Sequence, residues 1–87
     1  MWNYTYVLRS LKDGQHYTGY TTNLRKRLKD HNSGVSQWTK SRGPFELIYA
    51  EMCKNEQDAK VRELYLKSGR GKRYIKSRLR RFLLRTG

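Results

Sequence analysis

A hairpin signal near the N-terminus constrains the fold of this chain more than any other feature. Residues 4–11 are rich in Tyr, Thr, Val and Leu, a composition that favours a β-strand. Asp13 and Gly14 follow, and a two-residue turn needs the positive φ that glycine adopts at little cost. Residues 15–20 are then predicted to return as a second, antiparallel strand.

A first helix and a third strand come next. Asn23 is a candidate N-cap for a helix over residues 24–31, which the polar residues 32–34 are predicted to end. After a polar loop that contains Trp38, residues 45–50 are predicted to form the third strand.

Two further helices complete the predicted fold. Asn55 is a candidate cap for a helix that stops at 68–69, and a third helix is predicted from about residue 72 to 84. The third helix carries an apolar stripe of Ile75, Leu79, Phe82 and Leu83. We therefore predict an α+β fold, a three-stranded antiparallel sheet flanked by about three helices, as one domain over residues 1–87.

The charge balance indicates a polyanionic partner. Of the 87 residues, 20 are basic and 7 are acidic, which gives a net charge of +13. From Lys67 onward there are nine basic residues and no acidic one. Nucleic acid is the first candidate and an anionic membrane surface the second. The eleven aromatic residues, many of them outside any amphipathic helix, favour nucleic acid.

Cysteine usage and hydropathy bear on the compartment. Cys53 is the single cysteine, so the chain can form neither an internal disulfide nor a thiol-based zinc site. The first residues do not resemble a signal peptide, and no stretch approaches the ~20 apolar residues of a membrane-spanning helix. We expect a soluble, cytoplasmic protein that associates with the nucleoid.

The hairpin places Tyr6 and Tyr17 on one face of the sheet. A two-residue turn would set Lys12 opposite Gln15 and Ser10 opposite Tyr17. Because faces alternate along a strand, one side would then carry Tyr4, Tyr6, Leu8, Gln15 and Tyr17. Tyrosines are common strand residues, so most need no functional explanation, and two phenols beside Gly19 are a weak functional signal alone.

The first helix directs two basic side chains toward the core. At 100° per residue, Leu24, Arg27, Leu28 and His31 fall within about 100° of one another. Arg27 then either extends outward along the surface or grips a phosphate through two hydrogen bonds. His31 is either a half-buried residue at a helix end or a group that transfers protons near neutral pH.

The second helix supplies a candidate metal ligand. One of its faces carries Ala59, Glu63 and Leu66, and another carries Val61, Leu64 and Tyr65. A helix that is apolar on two sides is expected to lie between two layers, with Glu63 at the edge of a buried face. Glu63 then either forms a salt bridge with an arginine or binds a hard cation such as Mg²⁺.

The acidic residues limit the number of metals. Asp13 is assigned to the turn, and Asp58 to the first turn of its helix, where it favours the helix dipole. Few acids then remain, so any phosphodiester chemistry is expected to use one metal.

Four segments resemble the GIY-YIG nuclease domain. They are Tyr4-Thr5-Tyr6, Tyr17-Thr18-Gly19, the run 22–34 and the run 59–67 around Glu63. The likeness covers nearly the whole chain, and residues 65–72 resemble the stand-alone members related to the incision subunit of bacterial nucleotide excision repair. The resemblance implies a three-stranded antiparallel sheet with flanking helices and hydrolysis of phosphodiesters with one divalent metal, Mg²⁺ or Mn²⁺.

The resemblance also implies residue roles. Tyr6 and Tyr17 match the two motif tyrosines, one of which, or water oriented by it, would be the general base. Arg27 matches the arginine that holds the scissile phosphate, His31 a position that is His or Tyr in relatives, and Glu63 the metal ligand. Two departures matter, because the first triplet lacks its Gly and Ile, and Tyr20 stands where some relatives have a basic residue.

We therefore expect a metal-dependent endonuclease that acts on DNA, in repair or recombination, and does not enter membranes. The alternatives are a non-catalytic basic module that binds nucleic acid, and a membrane-surface or partner-binding protein that uses the third helix. Eleven basic residues are predicted to contact nucleic acid: Arg25, Lys26, Lys40, Arg42, Arg70, Lys72, Arg73, Lys76, Arg78, Arg80 and Arg81.

Overall fold

The sheet and helices follow the predicted order along the chain. The computed structural model describes residues 1–34 and 42–86. In this part of the chain the elements are β1 (Asn3–Ser10), β2 (His16–Thr21), α1 (Leu24–Asn32), β3 (Phe45–Cys53), α2 (Glu56–Lys67), α3 (Gly69–Arg78) and α4 (Arg80–Thr86). The α+β class and the three-stranded antiparallel sheet are confirmed. The predicted loop around Trp38 lies outside the described residues.

The sheet has the order β2-β1-β3, with β1 in the centre and both neighbours antiparallel to it. The register predicted for the hairpin is wrong by two residues. Leu8, not Ser10, lies opposite Tyr17, and the last pair joins Arg9 to His16. The connection is therefore longer than a two-residue turn, although Gly14 has the positive φ of 75° expected there. A shift of two preserves the face, so Tyr6, Leu8 and Tyr17 still share one side.

Each face of the sheet has its own core. On one side Tyr6, Leu8 and Phe45 are buried, and α1 covers them through Leu24 and Leu28. On the other side Val7 packs against Leu66 of α2 and Ile75 of α3. The protein thus has three layers, α1, the sheet, and α2 with α3.

The predicted elements need three corrections, which concern one helix, the number of helices and the end of one strand. The third helix is two helices, since Leu79 leaves the helical conformation at φ −106° and ψ 23° and separates α3 from α4. There are therefore four helices in the described residues rather than about three. The third strand continues to Cys53, three residues beyond its predicted end at Ala50.

The expectation that α2 lies between two layers is wrong. Ala59 and Leu66 are each 1% exposed, but Val61 is 64% exposed and Leu64 is 69% exposed. No described element packs over this second side, so α2 buries a single face. Among the described residues, no helix combines the length and the apolar character needed to cross a membrane.

Candidate active site

A cavity of about 200 Å³ opens between β1, β2, α1 and α2. The five residues that the sequence singled out for chemistry all line it: Tyr6, Tyr17, Arg27, His31 and Glu63. They come from four different elements, so only the folded sheet with α1 on one side and α2 on the other brings them together. Leu8, Thr18, Gly19 and Tyr20 complete the lining.

A hydrogen-bonded chain links α1 to the central strand. Arg27 donates from Nε to the Tyr6 hydroxyl oxygen at 3.3 Å, and that oxygen lies 3.0 Å from Nε2 of His31. The phenol has one proton. Because Arg27 already donates to its oxygen, the arrangement lets Tyr6 donate that proton to Nε2. His31 therefore accepts through Nε2 when it is neutral.

Burial determines the protonation states of Tyr6 and His31. Tyr6 is 3% exposed and His31 is 5% exposed. Burial raises the pKa of the Tyr6 phenol, although the hydrogen bond from Arg27 opposes the rise. Burial also lowers the pKa of His31, and the nearby charge of Arg27 lowers it further. Both groups are therefore held in their neutral forms near neutral pH.

Arg27 does not follow the geometric expectation fully. His31 is buried beside the core as predicted, but Arg27 is exposed at the mouth of the cavity. The hydrogen bond from its Nε atom to Tyr6 nevertheless holds the inner end of the guanidinium at the cavity lining. Extension to the surface and a fixed position at the site are thus combined in this residue.

Gly19 lets the Tyr6 ring lie against the edge strand. The two residues are paired across β1 and β2. A Cβ built on Gly19 would overlap the hydroxyl end of the Tyr6 ring and lie 3.0 Å from its Cε2 atom. Since Tyr6 is buried and bonded to two partners, its ring has little freedom to move away. Gly19, the last residue of the second motif triplet, therefore leaves the space that the Tyr6 ring occupies.

Tyr17 differs from Tyr6 in exposure and in partner. It is half-buried, with its ring edge against Phe45, the ring centroids 5.4 Å apart. Arg42 donates from Nη1 to the Tyr17 hydroxyl oxygen at 3.0 Å. The backbone carbonyl of Arg42 accepts a hydrogen bond from Ser10 Oγ at 2.6 Å, which anchors this arginine to the end of β1.

Glu63 lies at the cavity with a cationic neighbour. Its carboxylate is 3.0 Å from Nζ of Lys67, one turn further along α2, and the Glu63 side chain is 20% exposed. One alternative predicted from the sequence was a salt bridge between Glu63 and an arginine. Glu63 does form a salt bridge, but its partner is a lysine. An i,i+4 pair of this kind contributes only about 0.3–0.5 kcal/mol, so it does not by itself account for the acid's position.

The donor set at the cavity fits one kind of metal site. Among the described residues no group of three or more His, Cys, Asp or Glu side chains is placed to hold a metal. Mg²⁺, however, keeps several waters and is commonly bound by one or two carboxylates together with substrate phosphates. Glu63 is the one acidic residue of the cavity lining, and it fits a single-carboxylate site that the substrate completes.

The predicted nucleic-acid-binding residues are exposed wherever the structure describes them. Lys40 lies outside the described residues. Arg25 and Lys26 are on α1, where Lys26 forms an ion pair with Asp30 at 3.0 Å. Arg42 lies beside Tyr17 at the site itself. Seven others belong to α3 and α4: Arg70, Lys72, Arg73, Lys76, Arg78, Arg80 and Arg81.

Three contributions to the site were not predicted from the sequence. Arg42 was assigned to nucleic-acid binding, but its bond to Tyr17 joins residues 25 positions apart and has no local pattern. Lys67 as the partner of Glu63 had an available signal, the i,i+4 spacing on α2. Tyr20 lines the cavity, and its hydroxyl donates to Asn3 Oδ1 at 2.6 Å, so this departure from the motif has a structural use.

Comparison with known proteins identifies the family. The model of the GIY-YIG catalytic domain matches residues 2–80. A UPF0213 protein of Clostridium perfringens is 47% identical over 66 residues, which are 75% of this chain and 70% of that protein. A UPF0213 protein of Bacillus licheniformis is 44% identical over 82 residues, covering 90% of this chain and 84% of the relative.

A solved structure is also similar. The solution NMR structure of a UPF0213 protein from Bacillus halodurans shares 39% sequence identity, with a TM-score of 0.54. The match covers 88% of this chain and 84% of that one. The sheet, the cavity and the family match lead to one conclusion: this chain belongs to the GIY-YIG family of nuclease domains.

Proposed function

We propose that this protein is a metal-dependent endonuclease that hydrolyses phosphodiester bonds in DNA. The observation that carries the proposal is the meeting of Tyr6, Tyr17, Arg27, His31 and Glu63 in one cavity. A protein that only bound nucleic acid would have no use for a carboxylate among phosphate-binding cations. The resemblance to the excision-repair incision subunit supports a role in repair or recombination.

Arg27 is proposed to hold the scissile phosphate. Its bond to Tyr6 uses Nε, and a planar guanidinium has further N–H groups that can bind two phosphate oxygens at once. Its charge would stabilise the negative charge that develops on the phosphoryl group in the transition state. Tyr6 and His31 position Arg27 in this scheme, since both are buried and connected to it through hydrogen bonds.

Tyr17 is proposed as the residue that activates water. Its side chain is more accessible than that of Tyr6, and the hydrogen bond from Arg42 holds its hydroxyl oxygen in place at the cavity. The phenolate would accept a proton from the attacking water as the water oxygen bonds to phosphorus and the bond to the leaving oxygen breaks. Tyr6 is less suited to this step, because burial raises the pKa of its phenol.

Glu63 is proposed to bind the metal, Mg²⁺ or Mn²⁺. When bound, the ion would polarise the phosphoryl group and favour departure of the leaving oxygen. The carboxylate must first exchange Lys67 for the cation, which costs little because an i,i+4 pair of this kind contributes only about 0.3–0.5 kcal/mol.

The test is single-turnover cleavage of linear and branched DNAs with Mg²⁺, with Mn²⁺ and with EDTA. We expect cleavage in either metal and none in EDTA. The activity should fall by about 10²–10³ in Arg27→Ala protein purified in the same way, which excludes a contaminating nuclease.

Binding without cleavage in any metal would contradict the proposal. It would favour a non-catalytic binding module, for which the exposed basic residues of α3 and α4 are the supporting observation.

A further inference from the structure

A second concave surface lies on the other side of the sheet from the active-site cavity. Two adjoining clefts of about 360 Å³ and 430 Å³ run between the β1–β2 hairpin and the helices α3 and α4. Both are lined by Gly14, His16 and Lys76, so they form one continuous surface. We call it the hairpin groove.

The charged residues of the hairpin groove are all of one sign. Its titratable lining residues are Arg9, His16, Lys72, Lys76 and Arg80, and none of its described lining residues is acidic. In the part of the chain that the structure describes, Lys72, Lys76 and Arg80 form no ion pair with a carboxylate. Partial burial and the charges of Arg9 and Lys76 lower the pKa of His16, in agreement with a positive potential here.

The floor of the hairpin groove is apolar. Val7, Leu66 and Ile75 line the first cleft, and Leu83 and Leu84 line the second. Clefts of this volume accept groups of the size of one or two nucleotides. The cationic rim is suited to a phosphate backbone, and His16, Leu83 and Leu84 offer surface against which the unstacked bases of single-stranded nucleic acid can pack. In duplex DNA the faces of the bases are stacked on one another, so they cannot pack against the apolar residues of the groove.

The hairpin groove connects with the active-site cavity across the edge strand β2. A small cleft of about 150 Å³ is lined by His16, Tyr17, Thr18, Lys67 and Lys72. It shares Tyr17 and Thr18 with the active-site cavity, and shares His16, Thr18 and Lys72 with the groove. A strand held at Arg27 can therefore continue past Tyr17 and over β2 into the groove without leaving a positively charged path.

We propose that the hairpin groove binds the unpaired strand that adjoins the cleaved bond, so that the preferred substrate carries a single-stranded arm beside a duplex. This inference rests on the proposed nuclease function, because the arm is defined by its position next to the cleaved bond. The binding of the arm can nevertheless be measured without cleavage. Lys76 and Arg80 contact the arm through its phosphates, and Lys72 receives the strand where it crosses β2.

Fluorescence anisotropy in EDTA tests the groove directly. The probes are a blunt duplex and the same duplex with a single-stranded arm, and the variant is Lys76→Gln with Arg80→Gln. The matched control is Lys54→Gln with Lys60→Gln, which removes the same charge from exposed residues outside the groove. Thermal melts of each variant confirm folding, and Lys72→Gln with Lys76→Gln provides a second groove variant.

We expect the wild type to bind the armed duplex more tightly than the blunt one. The groove variant should lose roughly tenfold in affinity for the armed duplex, with little change for the blunt duplex. The control should weaken both probes equally. Equal loss on both probes in the groove variant, or no preference for the arm in the wild type, would overturn the inference.

The two proposals fail separately. If the protein prefers the armed duplex through Lys76 and Arg80 but cuts nothing in Mg²⁺ or Mn²⁺, the nuclease proposal fails and the binding site stands. If the wild type cuts but shows no arm preference in EDTA, the groove inference fails and the nuclease proposal stands.

Discussion

Arg27 is positioned by a hydrogen bond rather than by burial, and this defines its expected behaviour. Arg27→Ala should lower the single-turnover rate by about 10²–10³, the scale of losing one donor to transition-state charge. Arg27→Lys should recover only part of this loss, because an ammonium cannot form the two-point contact. The control is Lys29→Ala, an exposed residue of the same helix.

Wild-type rates in the Lys variant would contradict the assigned geometry and show that positive charge alone suffices at this position. Thermal melts should show that both variants fold, with a loss in the Ala variant of about 0.5–1.5 kcal/mol for the hydrogen bond to Tyr6.

His31 makes the stability of the fold depend on pH. Its pKa is lowered in the folded protein, so the unfolded chain binds the proton more tightly. The stabilisation is therefore present above the unfolded value of 6.5 and is lost as the pH falls below it. The difference in free energy of unfolding between wild type and His31→Gln should be largest near neutral pH and shrink on acidification.

The measurement is urea denaturation of both proteins at a series of pH values. His16→Gln should show a pH dependence of the same sign, because the pKa of His16 is also lowered, although this residue is outside the active-site cavity. A wild-type advantage over His31→Gln that stays constant with pH would contradict the assigned protonation.

At the residue scale, the sequence predicted the five cavity residues but not all their contacts. Helical spacing placed Arg27 and His31 on the side of α1 that faces Tyr6, and strand alternation placed Tyr6 and Tyr17 on one face. Both follow from local geometry, so both were accessible to sequence reasoning. The Arg42–Tyr17 bond was not, since it depends on where the chain enters β3.

At the scale of elements, the spacing of apolar residues predicted where helices form more accurately than it predicted which elements pack over them. The stripe of Ile75, Leu79, Phe82 and Leu83 is continuous in the sequence, and a change of backbone angles at one residue leaves that spacing intact. Likewise Val61 and Leu64 have the spacing of a second buried face, yet no described element packs over them. Periodicity reports which side chains are apolar and not how many layers the fold has.

Gly71 determines how closely α2 and α3 approach. A Cβ at this position would overlap the carbonyl oxygen of Tyr65 and the Cα of Leu66, and backbone atoms cannot turn aside as a side chain can. Gly71→Ala should therefore lower the free energy of unfolding by about 1–3 kcal/mol, the usual cost of overpacking. Urea denaturation would measure this loss.

The matched control is Gly69→Ala, two residues earlier in the same helix. Its Cβ would meet only a side-chain atom, Nη1 of Arg73, at an ordinary 3.9 Å. If Gly71→Ala were as stable as Gly69→Ala, the close approach of α2 and α3 would be wrong.

At the scale of the whole molecule, the net charge of +13 predicts that binding of nucleic acid would release counterions and depend steeply on salt. The logarithm of the association constant for duplex DNA should fall linearly with the logarithm of salt concentration, by about 0.9 per phosphate neutralised. A duplex with neutral methylphosphonate linkages should show a smaller slope. An affinity that does not change with salt would contradict a phosphate-dominated interface.

The class, the strand count and the order of elements were predictable at this scale because each strand and helix has local start and stop signals. The three-layer arrangement was not, since it depends on which face of the sheet each helix covers. That arrangement brings Glu63 of α2 to the same cavity as Arg27 of α1. The environment of Glu63 is therefore apparent only in the folded molecule.

Glu63→Gln tests the central claim most directly, through single-turnover cleavage, DNA binding and thermal melts of one variant. The matched control is Glu56→Gln, which breaks the i,i+4 pair with Lys60 on the same helix, outside the active-site cavity. Each change should cost at most about 0.5 kcal/mol of stability. Glu63→Gln should abolish cleavage in Mg²⁺ while DNA binding persists or tightens, and Glu56→Gln should cut as the wild type does. A stable Glu63→Gln protein that still cuts DNA in Mg²⁺ would contradict the account.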